Sequence, residues 1–253
     1  MAESSESSES SESSAQVSAQ ESPSATRALV VPRALVMLAA LWIFLAWINL
    51  FGLRPPVQPQ AASYAPTIQL LFATIGVGIA LAWPVLRLSN RPSSVPVTQA
   101  LLDGVSLLVL LQVVLWPLRL VANWTIPRTV AVDAALGASI VLTAALLANA
   151  QGARDRRVRT MAMGCITALV LAPWIIAALE SLTDGRFDAP VLVESVLTCL
   201  SAPALLARFS EPATLDPTEA DRSLMILAWT LSAGAWIVLP IVRTLIARRP
   251  GRA

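Results

Sequence analysis

The chain has 253 residues, of which 56% are apolar and 13% charged, with a formal net charge of +2. Soluble domains carry about 25% charged residues, and a domain this size in water would still need a charged surface. All 18 basic residues are Arg and His is absent. This excludes a His general base or metal ligand, a Ser-His triad, a Lys Schiff base and a P-loop lysine.

Residues 1–26 stand apart. Glu3 to Ser14 repeats Glu-Ser-Ser four times, and no basic residue precedes Arg27. Without aliphatic runs such a segment cannot offset its ordering entropy, which predicts a disordered low-complexity tail. The opening also lacks the basic stretch and short apolar core of a secretory signal. Residues 27–253 are expected to form a multi-pass transmembrane helical bundle.

About 20 apolar residues at 1.5 Å each cross a hydrocarbon core of roughly 30 Å. Seven segments come near that length: 34–53, 66–86, 98–118, 129–149, 160–179, 190–207 and 223–242. Within them only Asp103, Asp133 and Glu194 carry charge. Backbone groups in hydrocarbon must be satisfied internally, so each span is expected to be helical. The runs lack the alternation of barrel strands. The fold class is therefore all-α: a polytopic helical integral membrane protein with six transmembrane helices and one marginal one.

The marginal segment is 190–207, which is the shortest, with Glu194 near its start and Pro203 near its end. If it crosses and the tail is inside, Arg divides 10 inside to 8 outside; if it does not, 12 to 6. The second split obeys the positive-inside rule better, whereas the apolar content of the segment favours a crossing. The expected location is the cell (inner) membrane, with the N-terminal tail cytoplasmic.

Several residues invite a functional reading. Arg154, Arg156, Arg157 and Arg159 surround a single Asp155. They are candidates for contact with anionic headgroups or an acidic partner, beside a plainer role in setting topology. Pro173 lies inside the fifth span and should kink it. Together with Gln112, Ser139, Thr143 and Thr167 it outlines a weakly polar pathway. Small residues at Ala134, Ala138, Ala144 and Ala148 allow close helix approach, marking the fourth span as the most buried. Trp83-Pro84 and Trp116-Pro117 precede Arg87 and Arg119 as helix-end punctuation, with Arg reaching toward water. Cys165 and Cys199 match no metal spacing and are expected to be buried free thiols. Asn123-Trp124-Thr125 fits the glycosylation pattern but lies too close to two spans to serve.

Asp103 and Asp133 form the most tempting pair, since a carboxylate within a span is expensive. Each sits near its own face, on opposite sides, so they cannot share a proton as a dyad does. Asp133 is expected near Arg128, and neither Asp is expected to be needed. No catalytic, cofactor or metal site is expected, and no nucleic-acid partner. The favoured reading is a non-catalytic scaffold, assembly factor or membrane subunit, with the bilayer and other membrane subunits as partners. Translocation of a small or lipophilic solute is the alternative, and intramembrane catalysis a distant third.

Overall fold

The computed structural model describes residues 33–48, 61–89, 95–151, 156–183, 190–210 and 216–247. The tail 1–26 lies outside the described residues, as does Arg154. Every element described is helical. In chain order they are α1 (Arg33–Trp47), α2 (Ala61–Val77), a π-helical stretch (Gly78–Ala82) and α3 (Trp83–Leu88). Then follow α4 (Pro96–Ala122), α5 (Ile126–Gln151), α6 (Arg156–Leu182), α7 (Val191–Leu200), α8 (Ala202–Phe209) and α9 (Glu219–Ala247).

Five stretches are long and apolar enough to cross a membrane: Ala65–Leu88, Pro96–Leu120, Ile126–Gln151, Arg157–Leu182 and Glu219–Val242. The protein is an all-α integral membrane protein. The count is smaller than the sequence suggests, for two reasons. The first expected span is described as a helix of only 15 residues, about 22 Å against a core of roughly 30 Å. The sixth is not one helix: α7 and α8 are bent by 102° at a break. Ser201 at that break is extended, with φ −98° and ψ 100°, and Pro203 sits in the first turn of α8, where its missing N–H costs nothing.

Cross-contacts give the helix directions. Between α4 and α5, Gln112 meets Asp133 and Gly104 faces Ile140, so the two run antiparallel. Between α5 and α9, Arg128 pairs with Asp221, the Ala138 carbonyl accepts from Ser232, and the Val141 carbonyl accepts from Trp236. Both residue numbers rise together, so α5 and α9 are parallel. One crossing, α6, separates them, so α7–α8 must enter and leave the bundle at the end where α5 and α9 begin. The broken pair is a re-entrant hairpin, and the sixth segment does not cross. With the tail inside, and with segment 34–53 also crossing as the sequence reading has it, this arrangement divides Arg 12 to 6.

The core lies around α5, of whose best apolar window 67% is buried, the largest share among the five spans. The run of small residues explains this, since Ala135, Ala138, Ala144, Ala145 and Ala148 are all buried. The re-entrant α8 is almost wholly enclosed, with Leu205, Leu206 and Phe209 at 0% exposure. It lies on α2 at Gly76, where a Cβ would stand 2.5 Å from the Pro203 Cα. Only glycine permits that approach. By contrast α6 and α9 are each only 11% buried over their apolar windows, leaving Met161, Leu171, Trp174, Ile226, Ile237 and Ile241 facing outward.

Candidate functional site

Three polar or irregular centres stand out. The first joins α3 to α4 at the end of the bundle where α6 begins. Asp103 is 0% exposed and accepts from Nε and Nη2 of Arg87. Gln99 Nε2 donates to the same carboxylate at 2.9 Å, and Trp83 Nε1 at 3.3 Å. Helical spacing puts Gln99 one turn before Asp103 on the same face of α4. The antiparallel return then brings Trp83 and Arg87, one turn apart on α3, against that face. Arg87 thus turns inward, not toward water as the sequence reading has it. A buried carboxylate with a bidentate guanidinium and two further donors is fully satisfied.

The second centre is at the opposite end. Arg128 is 2% exposed, and its Nη1 lies 3.5 Å from Asp221 Oδ2. Arg208 Nε reaches Asp221 Oδ1 at 3.8 Å. Asp221 also accepts from the Thr218 backbone N–H at 3.0 Å, while its own N–H donates to Thr218 Oγ1 at 3.2 Å. This is a reciprocal cap that starts α9. One carboxylate therefore ties together the start of α5, the end of α8 and the start of α9. Nearby, Asn123 takes the left-handed conformation with φ 52° to end α4. Thr125 Oγ1 accepts from the Arg128 N–H at 3.3 Å and donates to Asp216 at 2.8 Å. The glycosylation-like triplet is used here as turn chemistry.

The third centre is at mid-depth, where three interruptions of regular helix meet. Ala80 of the π stretch, Val170 of α6 and Ala202 beyond the break pack together. Pro173 removes the N–H that would bond the Leu169 carbonyl, and the neighbouring Val170 carbonyl accepts from Ser201 Oγ at 3.1 Å. A gap of about 10 Å³ lies here, lined by Ala80, Ser139, Thr143, Leu169, Val170 and Ala202, among others. That is room for about one water.

The expected polar pathway is only partly assembled. Ser139 and Thr143 line the central gap beside the Pro173 turn. Their hydroxyls, however, donate back to the Ala135 and Ser139 carbonyls. Thr167 likewise donates to Met163 on its own helix at 3.0 Å. Gln112 lies elsewhere, donating to Asp133 and accepting from Trp116 Nε1 at 3.0 Å.

Asp133 therefore does not pair with Arg128, because Arg128 is taken by Asp221. Asp103 and the Asp133 contact at Gln112 are nine residues apart on α4, about 14 Å along the axis, too far to share a proton. Asp103 itself is the hub of an interhelical contact, held by Arg87, Gln99 and Trp83. Of the two thiols only Cys199 is buried; Cys165 is exposed on α6. Among the described residues no three His, Cys, Asp or Glu side chains gather as a metal would need. Of the arginine cluster, Arg157 is exposed on the first turn of α6. Arg159 lines a cleft against α3 and donates to the Leu88 carbonyl at 3.4 Å. Arg156 begins α6.

No protein-family model matches the sequence, and no curated protein or solved structure is similar to it.

Proposed function

We propose that this protein is a non-catalytic membrane subunit, scaffold or assembly factor, held as a fixed bundle in the cell (inner) membrane with its N-terminal tail cytoplasmic. The observation that carries the reading is the closure of the centre: the gap at mid-depth holds about 10 Å³, while buried ion pairs tie the helices at each end. Asp103 and Asp133 are engaged by donors from neighbouring helices, which supports a structural role for both. The broad apolar faces of α6 and α9 supply the surface on which lipid or other membrane subunits would lie. With segment 34–53 also crossing, the Arg division supports the orientation.

Purification in native lipid, followed by identification of what co-purifies, tests this. Stoichiometric partner subunits support the reading; a protein that purifies alone with a bound small molecule refutes it. Translocation of a small solute is the second reading. It is favoured by one observation, the meeting of a π stretch, a proline turn and a helix break at mid-depth, since irregular backbone in membrane proteins gathers around substrate sites.

A further inference from the structure

A cleft lies between α3 and α6, at the end of the bundle away from Asp221. It encloses about 600 Å³, within the usual range of about 300–1,000 Å³ for small-molecule sites. Its lining is two-faced. Ser89, Arg159 and Thr160 supply two hydroxyls and a guanidinium, while Val85, Leu88 and Met163 supply an apolar wall. The cavity between α1, α2 and α4, by comparison, is lined by residues such as Leu35, Ile43, Ile79 and Leu107 and offers no cation.

We propose that this cleft binds the phosphate of an anionic phospholipid, with Arg159 as its principal contact. The Arg159 Nη1 bond to the Leu88 carbonyl, at 3.4 Å, fixes the guanidinium at the junction of the two helices. A planar guanidinium suits a phosphate oxygen pair. Arg159 lies in the first turn of α6, where backbone N–H groups lack intrahelical partners and the helix dipole favours an anion. Arg159 carries the charge in the lining of the cleft, while Arg87 on the facing helix turns into Asp103. The apolar wall points to a lipid and not to a free anion. The outward side of α6 is apolar too, with Met161 69% exposed and Leu171 47%. Acyl chains can follow that side into the bilayer. The inference sharpens the reading of the arginine cluster: Arg159 lines the cleft, whereas Arg157 is exposed on the same turn and outside that lining.

The test uses the full chain in detergent and native mass spectrometry, with dioleoyl phosphatidylglycerol, dioleoyl phosphatidylcholine and inorganic phosphate as probes. Phosphatidylglycerol should be retained by the wild type and by Arg157→Gln. Arg159→Gln should bind it about tenfold more weakly, the loss of one charge-assisted contact. Thr160→Trp keeps Arg159 but fills the cleft, and should weaken binding to a similar extent. If Arg159→Gln does not fold, Thr160→Trp carries the test alone. Equal retention of phosphatidylcholine would overturn the proposal, because the charge of the headgroup would not be read. Displacement of phosphatidylglycerol by millimolar inorganic phosphate would overturn the lipid as the source of the phosphate. Equal weakening in Arg157→Gln and Arg159→Gln would also overturn it, by reducing the site to diffuse charge.

Discussion

Replacing Asp103 with Asn keeps the shape of the side chain and removes its charge. The carboxylate is 0% exposed and receives two N–H groups from Arg87, one from Gln99 and one from Trp83. An amide turns one acceptor oxygen into a donor, which must then face at least one of those donors. It also strips the counter-charge from a guanidinium that is only 20% exposed. Removing one partner of a buried pair costs about 3–5 kcal/mol. Arg87 retains some access to water, and side-chain hydrogen bonds within membranes average only about 0.6 kcal/mol, so the expected loss is nearer 2–3 kcal/mol. For a chain of this size that lowers Tm by roughly 5–10 °C. Thermal unfolding in nanodiscs, read by loss of the monodisperse species, measures it. The double change Arg87→Met with Asp103→Leu should recover much of the loss, since apolar replacement of a buried pair is often neutral. Glu194→Gln, exposed on α7, serves as the control. A melting point for Asp103→Asn within about 1 °C of wild type would refute the reasoning and restore the idle aspartate expected from sequence.

Gly76→Ala should destabilise by about 3 kcal/mol, because its Cβ meets Pro203 backbone at 2.5 Å and backbone cannot yield as a side chain does; Gly234→Ala, with nothing within 4 Å, should be neutral or slightly stabilising by the same melting assay. Asp221→Asn should cost about 2–4 kcal/mol, since it frees the buried Arg128 and weakens the cap of α9. Arg222→Ala, which breaks only an exposed pair with Glu219, should cost less than about 0.5 kcal/mol. Topology reporters fused after Arg157 and after Arg249 should register the same side of the membrane, and opposite sides would mean that the hairpin crosses after all.

Fold class was legible because it rests on composition and span length, which are local and additive. The burial of α5 was legible too, since alanines at helical spacing leave room only for a neighbouring helix. What escaped is pairing. Arg128 and Asp221 are 93 residues apart, and nothing in either segment names the other. Closer signals did exist. Thr218 followed by Asp221 is the spacing of a reciprocal helix cap. Arg87 and Asp103 flank the turn between two antiparallel helices, so their meeting follows once Arg87 is allowed to turn inward. The rule that arginine at a helix end reaches for water failed because a carboxylate lay nearer. Pro203 marked the break at Ser201, yet the apolar run around it looked like a crossing. Length and hydropathy cannot tell a crossing from a hairpin when both are apolar throughout.

The ends and the middle of the bundle answer to different physics. A charge near the membrane surface can reach water, so an ion pair buried there is retained for what it fixes. Asp221 fixes the starts of α5 and α9 and the end of α8. With eight residues, α8 is too short to hold itself in place. At mid-depth the broken and π-helical backbone is tolerated because protein, not lipid, surrounds it. A carrier must open such a place to admit its solute. Here opening would lift Pro203 off Gly76, a contact between backbones. It would also pull Arg208, at the far end of the same short helix, from Asp221. The two constraints sit on opposite ends of α8 and would have to yield together. The contacts that let the hairpin enter the bundle are therefore the ones on which the proposed assembly role rests.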